Sequence, residues 1–138
     1  MILLGVDFGF KRIGLAVTDT LVGLPTIRPT IDAAGSLKKD AARLSEIARK
    51  ERADAVVLGL PLEEGVEGRM ARICRSLGAL LSQDHGWSVH YTDESLTSVG
   101  AETALFEAGL KASQRKKVRD GEAAARILER YLRETQAS

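Results

Sequence analysis

The chain has 138 residues, 44% hydrophobic and 28% charged, enough to bury one respectable core and hardly two, so a single domain over residues 1–138 is expected. Twenty basic and 19 acidic residues leave a net charge of +1, so no overall field draws the protein to nucleic acid and any such contact must come from local clusters. The one cysteine, Cys74, excludes an internal disulfide framework and a cysteine-type zinc site. With no bilayer-length apolar run and no basic leader before "MILLGVD", a cytoplasmic protein without a membrane partner is expected.

In chain order, "ILLGVDF", "RIGLAVTD" and "GLPTIRPTI" are short branched-residue segments separated by Gly, Asp or Pro, which predicts three hairpin-connected strands. Beyond "AAGS", Leu37, Ala41, Leu44, Ile47 and Ala48 recur at spacings of three and four, the mark of a first helix with one apolar face. "ADAVVLGLP" reads as a buried strand. "GRMARICRSLGALLSQ" reads as a second helix through Met70, Ile73, Leu77, Leu80 and Leu81, and "WSVHYTDE" as a further strand. Two more helical stretches, "SVGAETALFEAG" and "DGEAAARILERYL", are joined by the basic segment "LKASQRKK". Strands that alternate with helices pair in parallel through crossovers. The order as a whole predicts an α/β protein with a mixed five-stranded sheet and helices on both faces, a pattern that resembles the ribonuclease H-like fold.

Three acidic positions stand at element ends: Asp7 closes the first apolar run, Glu94 beside Asp93 closes the last predicted strand, and Asp120 precedes the final helix. Ligands in open α/β sheets gather outside the carboxyl ends of strands. Clustered carboxylates repel one another unless a divalent cation with hard oxygen ligands neutralises them, so the set points to magnesium or manganese. Two such ions ~3.5–4 Å apart can activate water and stabilise a leaving oxygen in phosphodiester hydrolysis. Each residue also has an ordinary reading. Asp120 is placed as a helix N-cap would be, Glu94 can be an exposed turn residue, and Asp7 can be a solvated hairpin residue. Asp7 is the hardest to explain so, because it interrupts an apolar strand and Gly9 follows it. His85 and His90 fit no zinc motif and are expected to be structural.

The blocks "GVDFGFKRIGLAVTD", "VVLGLPLEEGVEG", "VHYTDESLTS" and "KKVRDGEAAARILERYL" resemble, in that order, the successive motifs of the YqgF/RuvX family almost end to end. The resemblance implies a ribonuclease H-like, metal-dependent nuclease that either trims the 5′ end of precursor 16S ribosomal RNA or resolves Holliday junctions. It places the family's acidic metal-holding and catalytic positions on Asp7, Glu94 and Asp120, and Thr97 beside the nucleic acid. Two departures bear on substrate. Ser95 stands where the family commonly has Arg, and the short loop "EEGVEG" carries Glu63, Glu64 and Glu67, which would repel a phosphate.

Phosphate contacts are expected from Lys11 and Arg12 and from the run Lys111, Arg115, Lys116, Lys117 and Arg119 that leads into Asp120; a solvated connection is the plainer reading of that run. The row Arg69, Arg72 and Arg75 is expected as a solvated helix face. With only 4% aromatic residues an extended stacking platform is not expected, Phe8 and Phe10 being the local exception. A resolvase needs two sites related by a two-fold axis, whereas the charged outer helix faces here suit a monomer or weak homodimer acting on RNA. Two further classes compete: an actin-like phosphate-binding module, for which the second Asp-x-Gly half is missing, and a non-catalytic nucleic-acid-binding protein of ribosome assembly.

Overall fold

The computed structural model describes residues 1–94 and 112–136, and the side chains of 1–94 and 116–135. Three strands come first, β1 (Ile2–Phe8), β2 (Arg12–Asp19) and β3 (Thr26–Asp32), and they form the expected antiparallel meander. Helix α1 (Leu37–Lys50) follows, capped by the Ser36 side chain, which accepts from the Lys39 N–H. Strand β4 (Ala55–Glu63) then pairs in parallel with β1, Leu3 opposite Ala55 and Val6 opposite Leu58. Helix α2 (Arg69–His85) ends at Gly86, whose φ of 74° is the left-handed turn that releases the chain. Strand β6 (Val89–Glu94) pairs in parallel with the other edge of β4, Gly59 opposite Thr92 and Pro61 opposite Glu94.

These five strands make a mixed sheet in the order β3-β2-β1-β4-β6. A sixth strand, β5 (Val66–Glu67), was not expected. It is two residues long and folds back on the outer end of β4 through Glu64 and Gly65, with φ of 52° and 79°; two consecutive positive φ values make the tight hairpin turn that "EEGVEG" encodes. Its residues are exposed.

Side-chain alternation divides the core in two. Leu4, Val6, Phe8, Ile13, Leu15, Val56, Leu58 and Leu60 face α1 and α2, where Leu44, Cys74, Leu77 and Leu81 meet them. Leu3, Ala16, Ala55 and Val57 face the opposite side and are covered by a third described helix, α3 (Ala112–Gln136), through Ala124, Ile127, Leu128 and Leu132. Cys74 is a buried free thiol in the first of these halves.

Helix α3 corrects two expectations. The basic segment is no loose connection: from Ala112 onward it is helical and continuous with "DGEAAARILERYL". Asp120 accordingly lies within α3 and caps nothing. The Asp-Gly pair looked like a helix start because both residues break helices in isolation. Gly121 is instead a packing glycine: a Cβ there would fall inside the Ile27 side chain of β3. The helix expected over "SVGAETALFEAG" lies outside the described residues. Among the described residues no helix is long and apolar enough to cross a membrane.

Candidate active site

Asp7 is the last residue but one of β1, and alternation turns it to the α3 side while Val6 and Phe8 enter the core beneath α1 and α2. Glu94 ends β6 on that same side and is 8% exposed, whereas its neighbour Asp93 is exposed. Strand β4 separates β1 from β6, yet the two carboxyl groups hydrogen-bond to one another. Gly59 of β4 leaves room for one member of the pair. A Cβ there would stand 2.5 Å from Ile127 Cδ1 and 2.8 Å from Glu94 Oε2, so the missing side chain makes space for α3 and for the Glu94 carboxyl.

Burial raises both carboxyl groups. Asp7 is pushed up to about 6 by desolvation and then by the charge of Asp120, against the hydrogen bond from Glu94, which lowers it. Glu94 is pushed up to about 9 by desolvation, then by the charge of Asp7 and by the proton it donates to Asp7. The pair therefore titrates as a unit and holds one shared proton near neutral pH. Glu94 Oε1 is buried and has no hydrogen-bond partner among the described residues. Burial and the two carboxylates also push the Cys74 thiol up to about 12, which removes it as a nucleophile.

Asp120 comes near enough for its charge to raise Asp7, but its side chain is engaged elsewhere. Arg12 Nε donates to Asp120 Oδ2 at 2.7 Å, with the two side chains 30% and 22% exposed. Among the described residues no three His, Cys, Asp or Glu stand together as a ready ligand set. Two of the three expected acidic residues thus meet directly, and the third is held at the edge by a guanidinium. The position of Asp120 along α3 is nevertheless fixed, because α3 rests on β2 at Gly14, where a Cβ would overlap the Asp120 carbonyl.

Lys11 is exposed in the β1–β2 turn, and Lys116 and Lys117 are exposed on α3. The Thr30 hydroxyl donates to the Lys117 carbonyl at 2.9 Å, which ties this basic turn of α3 to β3. The Arg115 side chain, Lys111, Ser95 and Thr97 lie outside the described residues. On α2, Arg75 makes a bidentate pair with Glu67 and stacks 5.0 Å from the centre of the Tyr91 ring, so it belongs to the β5 edge. His90 packs on Tyr131, a structural place as expected.

The pH dependence follows from the raised pair. Protonated carboxyls favour the fold most fully below their unfolded values near pH 4, and that contribution is lost as pH rises through the higher folded values. In chelator, the melting temperature is expected to fall between about pH 5 and about pH 9, with a loss of a few kcal/mol at ~1.4 kcal/mol per pKa unit. A melting temperature that climbs across this interval would contradict the buried pair.

A family model described as "RuvX: Holliday junction resolvase" matches residues 1–134. The chain belongs to the RuvX family. Its relatives in that family include a Myxococcus xanthus protein, 40% identical over 94% of this chain and 85% of that protein, and an Endomicrobium trichonymphae protein, 39% identical over 94% of each. Both bear the name "Putative pre-16S rRNA nuclease". Among solved structures, T. thermophilus RuvC in complex with Holliday junction substrate aligns with a TM-score of 0.61 at 16% identity, covering 100% of this chain and 97% of that one. The fowlpox virus Holliday junction resolvase aligns with a TM-score of 0.56 at 16% identity over 99% of each chain. The RuvX chain therefore has the ribonuclease H-like fold that its strand order predicts.

Proposed function

We propose that this RuvX-family protein is a divalent-metal-dependent nuclease that hydrolyses phosphodiester bonds in precursor 16S ribosomal RNA, with Asp7, Glu94 and Asp120 as its catalytic and metal-holding residues. The observation that carries the reading is the buried Asp7–Glu94 pair with its orphaned Glu94 oxygen. Two carboxyls forced together at the carboxyl ends of parallel strands leave a demand for positive charge and for a hard cation. All-oxygen donors suit Mg²⁺ or Mn²⁺ over softer metals. Such an ion supplies Lewis acidity and an acidified water.

The chain's own part is to release the proton shared by Asp7 and Glu94 when the cation enters, and to bring Asp120 in from the α3 side. Lys11, Arg12, Arg115, Lys116 and Lys117, with Thr97, hold the phosphate backbone and position the bond to be cut. The names of the 35–40% identical relatives support the ribosomal substrate. A second reading, resolution of Holliday junctions, has the family model's description in its favour. The charged outer faces of α2 and α3 favour a monomer or weak homodimer over the tight two-fold dimer that paired cuts require.

A cleavage panel separates these readings: precursor 16S RNA, junction DNA, duplex and single-stranded DNA, each with magnesium, manganese or chelator. Metal-dependent cleavage of the RNA near the 5′ end of the mature sequence is the expected result. Paired symmetric nicks in junction DNA, with the RNA untouched, would overturn the ribosomal reading; no cleavage of any substrate would overturn the nuclease.

Arg12 gives a further expectation. The guanidinium and the metal compete for one carboxylate, so Arg12→Gln should tighten Mn²⁺ binding about two- to tenfold by titration calorimetry while weakening RNA binding. Unchanged or weaker metal binding would show that the pair does not hold Asp120 back.

A further inference from the structure

The β1–β2 turn carries a feature that the hydrolytic residues do not use. Phe10 is 61% exposed, although it follows Asp7 by only three residues and a ring left this open gains little for the fold. Its ring meets Phe8 edge to face, with centroids 6.4 Å apart and planes at 73°. With Ala33, Leu37 and Ile73, the two rings line a cavity of about 190 Å³ between this turn and the start of α1. That is room for one flat ring system, the space of about six waters at ~30 Å³ each.

The cavity wall is apolar except at Ser36 and Asp40. Asp40 is 2% exposed and lines the cavity. Its Oδ1 accepts the Ala34 N–H at 2.8 Å, and no group among the described residues donates to its Oδ2. This second oxygen is not fully enclosed, Glu94 Oε1 being the one buried side-chain oxygen without a partner among the described residues, and it is free to accept from an N–H donor that enters the cavity. Lys11 follows the lining residue Phe10 in sequence, and Lys38 and Lys39 stand between the lining residues Leu37 and Asp40; all three are exposed, free to meet phosphates. The cavity opens at the same end of the sheet as Asp7, on the other face of β1.

We propose that this cavity is a subsite for one unstacked nucleobase of the strand being cut, next to the phosphate that Lys11 and Arg12 hold. Phe10 is the stacking face, and Asp40 Oδ2 accepts from an exocyclic amino group, so the subsite takes adenine, guanine or cytosine in preference to uracil. The strand must be unpaired there, since a base in a duplex keeps its faces in the stack and its amino group in the pair. This proposal rests on the nuclease reading, and its test is designed to fail separately from it.

Binding of fluorescent RNA is measured in chelator, so that cleavage plays no part. For single-stranded RNA, Phe10→Ala is expected to weaken binding about 5- to 100-fold, the range of one lost base stack, and to leave duplex binding unchanged. Because Phe10 is exposed, the substitution leaves the core intact. An abasic nucleotide at one position should cost wild type as much and cost Phe10→Ala nothing more. Asp40→Asn keeps an acceptor for Ala34 and turns the free oxygen into a donor, so it should shift the preference at that position toward uracil. Equal losses on single strand and duplex, abasic penalties that add to Phe10→Ala, or an unaltered preference in Asp40→Asn would each overturn the subsite. Wild-type protein that binds no RNA or DNA at all would overturn the nuclease reading along with it.

Discussion

Asp7→Asn is expected to reduce hydrolysis by at least about a thousandfold, which corresponds to ~4 kcal/mol of lost transition-state stabilisation. The substitution removes one carboxylate charge from the place where Asp7 and Glu94 meet and keeps the side chain's size, so little packing changes. It also relieves Glu94, because the charge of Asp7 and the shared proton are two of the three causes that raise it. The metal-free variant should therefore melt no lower than wild type at about pH 8, while losing the rise in melting temperature that magnesium or manganese gives wild type. Nucleic-acid binding in chelator should persist. Activity above about a tenth of wild type in the purified variant would remove Asp7 from the catalytic set.

The second large effect is expected from a residue that touches no substrate. At Gly14 a Cβ would overlap the carbonyl of Asp120, a backbone atom that cannot rotate away, so Gly14→Ala must lift α3 from β2. That helix supplies Ala124, Ile127, Leu128 and Leu132 to one of the two halves of the core. Overpacking against backbone sits at the upper end of the usual range, about 3 kcal/mol or more, and should lower the melting temperature by roughly 10 °C. The folded fraction should also bind Mn²⁺ more weakly, since Asp120 rides on the displaced turn. A fall of less than about 3 °C would mean that α3 is not seated on β2 as described.

The local parts of this arrangement were legible in the sequence. Asp7 and Glu94 each terminate an apolar run, and a carboxylate in that position has a reason to be there that burial alone does not give. The meander, the crossovers and the helices on both faces follow from periodicity and punctuation. The long-range parts were not legible. Arg12 and Asp120 stand 108 positions apart, so nothing local reveals that an expected phosphate contact pairs with an expected metal ligand. "RKKVRDGEA" hides a continuous helix, because its charged first half has no apolar stripe of its own and is held through the Thr30 contact to a backbone carbonyl. Gly59 and Gly14 did carry a signal. A glycine inside a strand marks close approach of something, though only the folded chain shows that one admits Glu94 and the other admits α3.

The place of α3 in the chain gives the molecule an order of assembly. The helix follows every described strand of the sheet, yet it covers β1 and β2, which leave the ribosome first. During synthesis the five-stranded sheet can close on α1 and α2 while Leu3, Ala16 and Val57 still lie bare on its other side. The two acidic strand ends can also meet before Asp120 has been made. Until α3 emerges, the nascent protein would be half-covered and would lack one of the three carboxylates proposed to hold the metal.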